Sequence, residues 1–210
     1  MTPVKVGVVV EGHGEVKAVP VLFRRIAYDI DPNANLQVLQ PIRRPRGSLV
    51  KPDELERAVA LAALKARPRG GVFVVLDSDD DCPKELAPSL LTRAKSAGMG
   101  LPVSVILPQR EFEGWFLVAA ESIRGKRGLP PDLVPPQNPE GIRGAKGWLR
   151  ERMRGRVYSE TIDQPALAAI FDLNQARVAK SFDKCYRELQ LLIERFRTDP
   201  ELSPTASGLP

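Results

Sequence analysis

Six carboxylates carry the chemistry this sequence could do. Glu11 and Glu15 bracket the turn "EGHGE" after one apolar run. Asp77 and Asp79 stand in "LDSDDD" after a second, and Glu111 and Glu113 follow a third. Carboxylates gathered at one point repel one another, and their pKa values rise unless a cation neutralises them. A hard divalent cation, Mg²⁺ or Mn²⁺, suits an all-oxygen set of this kind. The two-residue step from Asp77 to Asp79 lets both side chains reach one ion if the chain turns just past the strand. Glu15, four residues after Glu11, leans back towards the strand end if a helix begins near Gly12. Taken singly, each pair also reads as an ordinary feature: a solvated helix face, a solvated turn, or acids at a helix N-terminus. Their arrival together at three strand ends sets them apart.

That arrival needs a frame. "VKVGVVV" (4–10), "GVFVVLD" (71–77) and "LPVSVILP" (101–108) read as buried strands rich in Val, with "NLQVLQPI" (35–42) as a further strand. Helical spacing appears in "GEVKAVPVLFRRIAYDI", where Pro20 demands a late start or a kink, and in "PDELERAVALAALKAR" (52–67). It recurs in "PKELAPSLLTRAKSAG", closed by Gly98 as a C-terminal cap, and in "EFEGWFLVAAESI". Strands alternating with helices predict an α/β fold with a parallel sheet covered on both faces, over residues 1–123. In such a sheet ligands bind at the carboxyl ends of the strands, where these acids lie.

From residue 124 the composition shifts to Gly, Pro and Asn, and four prolines within 130–136 exclude regular helix. Helical patterns resume with "AKGWLRERM", "DQPALAAIFDLNQAR" (163–177) and "SFDKCYRELQLLIERF" (181–196). Residues 124–197 thus read as a helical extension packed on the first domain, and 198–210 as a disordered tail.

Composition narrows the function classes. The 210 residues are 43% hydrophobic and 27% charged, enough for a core and a soluble surface. No apolar run approaches the ~20 residues that cross a bilayer, and the N-terminus is a poor signal peptide, so a cytoplasmic protein without membrane contact is expected. With Cys82, Cys185 and the single His13, a zinc site of Cys and His is not expected. Cys185 falls on the apolar face of the last helix and reads as buried filler. No GxxxxGK[ST] occurs, and "EGHGE" lacks the third glycine of a dinucleotide loop. The net charge of +5 is gathered in clusters that include "RRPRGSLVK" (43–51) and "RGAKGWLRERMRGR" (143–156). Arg43, Arg44, Arg46, Arg143 and Lys146 are the candidate nucleic-acid contacts. Trp115, beside Phe112, Phe116 and Leu117, reads as core rather than as a base-stacking platform.

"VVVEGHGE" followed by "VFVVLDSDDD" resembles the Toprim domain of primases, topoisomerases and the nucleases of the overcoming-lysogenisation-defect class. The Toprim motifs are a Glu in a glycine-containing turn after the first strand and a DxD after a later one. Here these are Glu11 and Asp77–Ser78–Asp79. The Glu11–Glu15 spacing, with an acid past the following strand, is most similar to the nuclease branch. "QREFEGWFL", "DQPALAAIFDL" and "SFDKCYREL" resemble Toprim-like proteins of the domain of unknown function 4276, over most of the chain to about residue 196.

The resemblance implies a Toprim-like, Rossmann-like sheet and a metal-dependent nuclease. One metal ion would be held by Glu11, Asp77 and Asp79, and a second by Glu15 and Glu113, with Glu111 as the lesser candidate. It implies Glu11 as general base and a basic residue, Lys146 or Lys180, at the scissile phosphate. Tyr28, Tyr158 and Tyr186 lack the context of a topoisomerase nucleophile, which favours hydrolysis. The class implies a partner ATPase on a separate chain and a place in an anti-phage defence system. Two alternatives stay open: an idle Toprim module serving as a regulatory subunit, and a phosphohydrolase acting on a small nucleotide.

Overall fold

The computed structural model describes residues 2–198. The expected tail at 198–210 lies outside the described residues, apart from Thr198. The Val-rich runs form strands because β-branched side chains suit a pleated surface buried on both faces. The strands are β1 (Val4–Val10), β2 (Leu36–Val38), β3 (Ile42–Arg43), β4 (Gly70–Val75) and β5 (Val103–Ile106). All pair in parallel, in the order β2-β1-β4-β5, with β2 on the first half of β1 and β3 on its end. The α/β fold with a parallel, Rossmann-like sheet is therefore the observed one.

The helices are α1 (Glu15–Ile30), α2 (Arg46–Leu49), α3 (Glu54–Ala66), α4 (Pro83–Ala97) and α5 (Gly114–Val118). They continue with α6 (Ala145–Arg152), α7 (Glu160–Ala168), α8 (Leu173–Ala176) and α9 (Lys180–Thr198). Strand periodicity sorts the two cores. Val6, Val8, Val10, Phe73 and Val75 pack with α1, α7 and α9. Val9, Val72, Val74 and Val105 face the other way, onto α3 and α4. Phe112, Trp115, Phe116, Phe171 and Phe182 join in edge and tilted ring contacts that tie the 112–116 segment to the C-terminal helices. Trp115 is core, its indole N–H donating to Ser181 Oγ at 2.9 Å, and Cys185 is buried.

Four local expectations are corrected. The strand expected over 35–42 is two short pieces. Leu39 N–H still bonds Val6 O, but Pro41, two residues on, has no N–H for the next carbonyl of β1. The late start is not taken: α1 begins at Glu15 and runs through Pro20, which lacks the N–H that would bond the Val16 carbonyl. The helix expected over 111–123 is the short α5 followed by a 3₁₀ turn at Ala120–Ile123, and 163–177 divides into α7 and α8. Asp172 starts α8 afresh by accepting from Gln175 N–H. Gly98 does end α4, but with φ −75°, not left-handed. A Cβ there would lie 2.4 Å from Val103 Cγ2, so close packing on β5 requires the glycine. Among the described residues no helix is long and apolar enough to cross a membrane.

Candidate functional site

The chain runs outward from β1 to β2 and β3, then crosses back to β4 on the other side of β1. β1 and β4 therefore flank the point where strand order reverses, the usual ligand crevice of an open parallel sheet. Their register pairs Val10 with Val75. Glu11 follows Val10 directly and Asp77 stands two residues past Val75, so two strand ends deliver both acids to that crevice.

Asp77 is 3% exposed, and its Oδ1 accepts the Phe112 N–H at 2.8 Å. Ser78 Oγ accepts from Arg110 N–H at 2.8 Å, and Asp79 N–H donates to Arg110 O at 3.0 Å. The acidic loop is thus stapled to the segment that carries Glu111 and Glu113. Asp79 has φ +49°, a left-handed turn that short polar side chains tolerate. Its carboxylate, half-exposed, meets Arg46 Nε at 3.2 Å.

Glu15 opens α1 at 2% exposure, and Glu113 precedes α5 at 0%. Gln164, on α7 and also 0% exposed, joins them: its Nε2 donates to Glu15 Oε1 and to Glu113 Oε1, at 3.1 Å each. Tyr158 O–H donates to the same Glu113 Oε1 at 2.8 Å. The glycines of "EGHGE" make room for this network. A Cβ at Gly12 would stand 2.0 Å from Glu15 Oε2, and one at Gly14 would stand 2.1 Å from Gln164 Oε1. Gly14 has helical φ and ψ, so the contact with Gln164, and no special backbone angle, favours a glycine.

The electrostatics follow from burial. Glu11 is pushed up to about 7 by burial, then by the charges of Glu15 and Asp79, against the pull of Arg46 and Lys146. Glu113 is pushed up to about 8 by burial, with Lys146 and the Tyr158 hydrogen bond opposing. Asp77 is raised well above the ordinary carboxylate range by burial and then by Glu11, Glu113 and Glu15. Burial alone would lower Lys146, but Glu113, Glu160 and Asp77 outweigh it and raise its pKa. Its Nζ stands 3.2 Å from Glu160 Oε1.

Five of the predicted acids, Glu11, Glu15, Asp77, Asp79 and Glu113, thus share one site, as does Lys146. Glu111 is turned to another task, accepting the backbone N–H of Lys146 at 3.2 Å. The arginines expected at phosphates are largely engaged within the protein. Arg43 donates to the Glu11 carbonyl, and Arg44 to the Arg43 carbonyl on the exposed side. Arg46 spans the carbonyls of Asp77 and Ser78 and the carboxylates of Asp79 and Asp81. Arg143 pairs with Asp80 at 2.8 Å, where Arg110 also binds. Lys180 lines a groove of about 760 Å³ that borders the acidic loop at Asp80 and Asp81, with Leu107, Asn138, Glu140 and Lys184.

Gln164 and Tyr158 were not foreseen as site residues. The sequence signal for Gln164 is the polar pair Asp163–Gln164 opening an otherwise apolar helix face. Asp163, fully buried, is clamped by Arg127 at 2.9 Å, Arg156 at 2.6 Å and the Ser159 N–H at 2.8 Å.

Fit to a cation can be judged from the donors. Glu11 Oε2, Glu15 Oε2 and Glu113 Oε2 are buried with no hydrogen-bond partner among the described residues. These are oxygen donors suited to a hard cation. Among the described residues no three acid, His or Cys side chains stand ready as a metal-holding group. Gln164 ties Oε1 of Glu15 and of Glu113, and the Phe112 N–H ties Oδ1 of Asp77, leaving Oε2 of each glutamate untied. The donor chemistry fits; the site is not preclosed.

Fold and site together define a parallel α/β protein with a buried carboxylate cluster at the switch point of its sheet. In comparisons with known proteins, no family model, no curated protein and no solved structure matches this chain.

Proposed function

We propose that this protein is a Toprim-like, Mg²⁺- or Mn²⁺-dependent nuclease that hydrolyses phosphodiester bonds at the switch-point carboxylates. The observation that carries the reading is the set of three buried, unpartnered carboxylate oxygens on Glu11, Glu15 and Glu113. An unsatisfied buried acceptor costs ~1–3 kcal/mol, and bound cations would relieve all three. Glu11, Asp77 and Asp79 would hold one ion, and Glu15 with Glu113 a second. When bound, such ions polarise a phosphoryl oxygen and lower the pKa of water.

The chain's own residues supply the rest. Glu11, at the end of β1, is the general base that the resemblance implies for taking a proton from an attacking water. Lys146, kept protonated by Glu113, Glu160 and Asp77, is the cation placed to meet a phosphate oxygen. Phe112 N–H and Arg46 orient Asp77 and Asp79, so the acidic loop keeps its shape. The net charge of +5 favours a polyanionic substrate. The resemblance extends the proposal to a separate ATPase chain in an anti-phage system, checked by co-purification.

The test is cleavage of labelled single- and double-stranded DNA and RNA with Mg²⁺, Mn²⁺ or EDTA. Wild type is expected to cleave at least one substrate with metal and none with EDTA. Asp77→Asn keeps the acceptor for Phe112 N–H yet removes the charge, and should lower the rate at least ~10²-fold. Cleavage undiminished in Asp77→Asn would overturn the assignment.

A further inference from the structure

We infer that Gln164 is a positioning residue for the second carboxylate pair, its amide presetting Glu15 and Glu113 with one oxygen of each tied and the other left for a divalent cation. The inference rests on the metal reading above and extends it to a residue from the helical part of the chain.

Four observations carry it. Glu15, Glu113 and Gln164 are 2%, 0% and 0% exposed, so their contacts are made away from bulk water. Both hydrogens of the Gln164 amide are used, one on Oε1 of each glutamate, at 3.1 Å. The Oε2 atoms of both glutamates lack partners among the described residues. The Gly14 backbone closes over Gln164 so tightly that a Cβ would stand 2.1 Å from its Oε1.

One tied oxygen and one free oxygen is how outer hydrogen bonds orient carboxylate ligands, and losing such partners typically weakens metal binding ~10- to 100-fold. A neutral amide suits this place. It donates to both carboxylates without competing, as a fixed positive charge would, for the site's cation.

Two routes disturb the amide independently. Gln164→Leu removes the donor at similar volume. Gly14→Ala leaves Gln164 in the sequence but drives its amide from its seat. The helical backbone at Gly14 accepts alanine, and the Cβ would also stand 3.0 Å from the Glu160 carbonyl, a strain that the unfolding check in EDTA reads separately. The probe is Mn²⁺ alone, titrated calorimetrically and by the signal of free Mn²⁺, with unfolding in EDTA as the check on folding.

Each variant is expected to bind the ion of Glu15 and Glu113 ~10- to 100-fold more weakly than wild type, with the ion of Glu11, Asp77 and Asp79 retained. In a Gln164→Ala background Gly14→Ala should add little, because both act through one side chain. A role in packing alone would lower the unfolding temperature and leave Mn²⁺ affinity in place. Wild-type affinity in Gln164→Leu, or full additivity of the two changes, overturns the inference while the metal reading stands. Should Gln164→Leu fail to fold, Gly14→Ala decides by the same affinity criterion. No Mn²⁺ bound by wild type removes both.

Discussion

Glu113→Gln is the substitution that most directly tests the stored electrostatic cost of the site. Burial holds the Glu113 carboxyl at about 8, against an ordinary value of 4.5. A carboxyl whose folded-state pKa is raised contributes stability that is fully present below its unfolded pKa. That contribution is lost as pH rises through the folded value. Between pH 4.5 and 7 the metal-free protein should therefore lose about 3 kcal/mol at this residue, at about 1.4 kcal/mol per pH unit. Glutamine cannot ionise, and its Oε1 keeps the acceptor for Tyr158 O–H and Gln164 Nε2. Any fixed cost of the new amide is the same at every pH and cancels in the comparison. The assay is urea unfolding in EDTA at pH 5, 6, 7 and 8. Glu113→Gln should gain on wild type by about 3 kcal/mol over that range, roughly 6–12 °C in melting temperature for a chain of this length. Added Mn²⁺ should stabilise wild type at pH 8 more than the variant, which keeps the ligands of the first ion but loses an ionisable ligand of the second, since a cation favours the ionised form. Parallel stability curves for the two proteins in EDTA would refute the reasoning.

Two further expectations concern the frame. Phe182 is fully buried with ring centroids 5.2 Å from Trp115 and 5.5 Å from Phe171, so Phe182→Ala should cost ~3–5 kcal/mol in urea unfolding. A Cβ at Gly7 would lie 2.7 Å from the Ala62 carbonyl of α3, so Gly7→Ala should cost ~1–3 kcal/mol by forcing α3 off β1. Gly47, in α2 with nothing within 4 Å of its Cβ position, is the control: Gly47→Ala should be neutral or stabilising by up to ~1 kcal/mol.

The strands were legible because a parallel sheet buried on both faces demands uninterrupted β-branched runs, and Val4–Val10 and Gly70–Val75 are such runs. The adjacency of Glu11 and Asp77 was legible too, since parallel strands bring their carboxyl ends to one edge. Less could be read where a single residue interrupts a pattern. Pro41 divides a strand by withholding one N–H, while Pro20 sits in a helix that absorbs the loss. The internal partners of the arginines were illegible for a related reason. Charge clustering says that Arg46 and Arg143 are close to something anionic, and the nearest anions proved to be the protein's own Asp79, Asp81 and Asp80.

By itself the sequence determined the kinds of atoms at the site and the sheet edge that gathers them, because strand periodicity and crossover topology act through local pattern. Only the tertiary structure decided their state. Gln164 reaches Glu15 across 149 positions and Glu113 across 51. Glu111 turns away to the Lys146 N–H while Glu113, two residues on, is wholly buried. Whether a carboxylate holds its proton depends on exclusion of water and on the nearest opposite charge. Both are properties of neighbours brought together by folding.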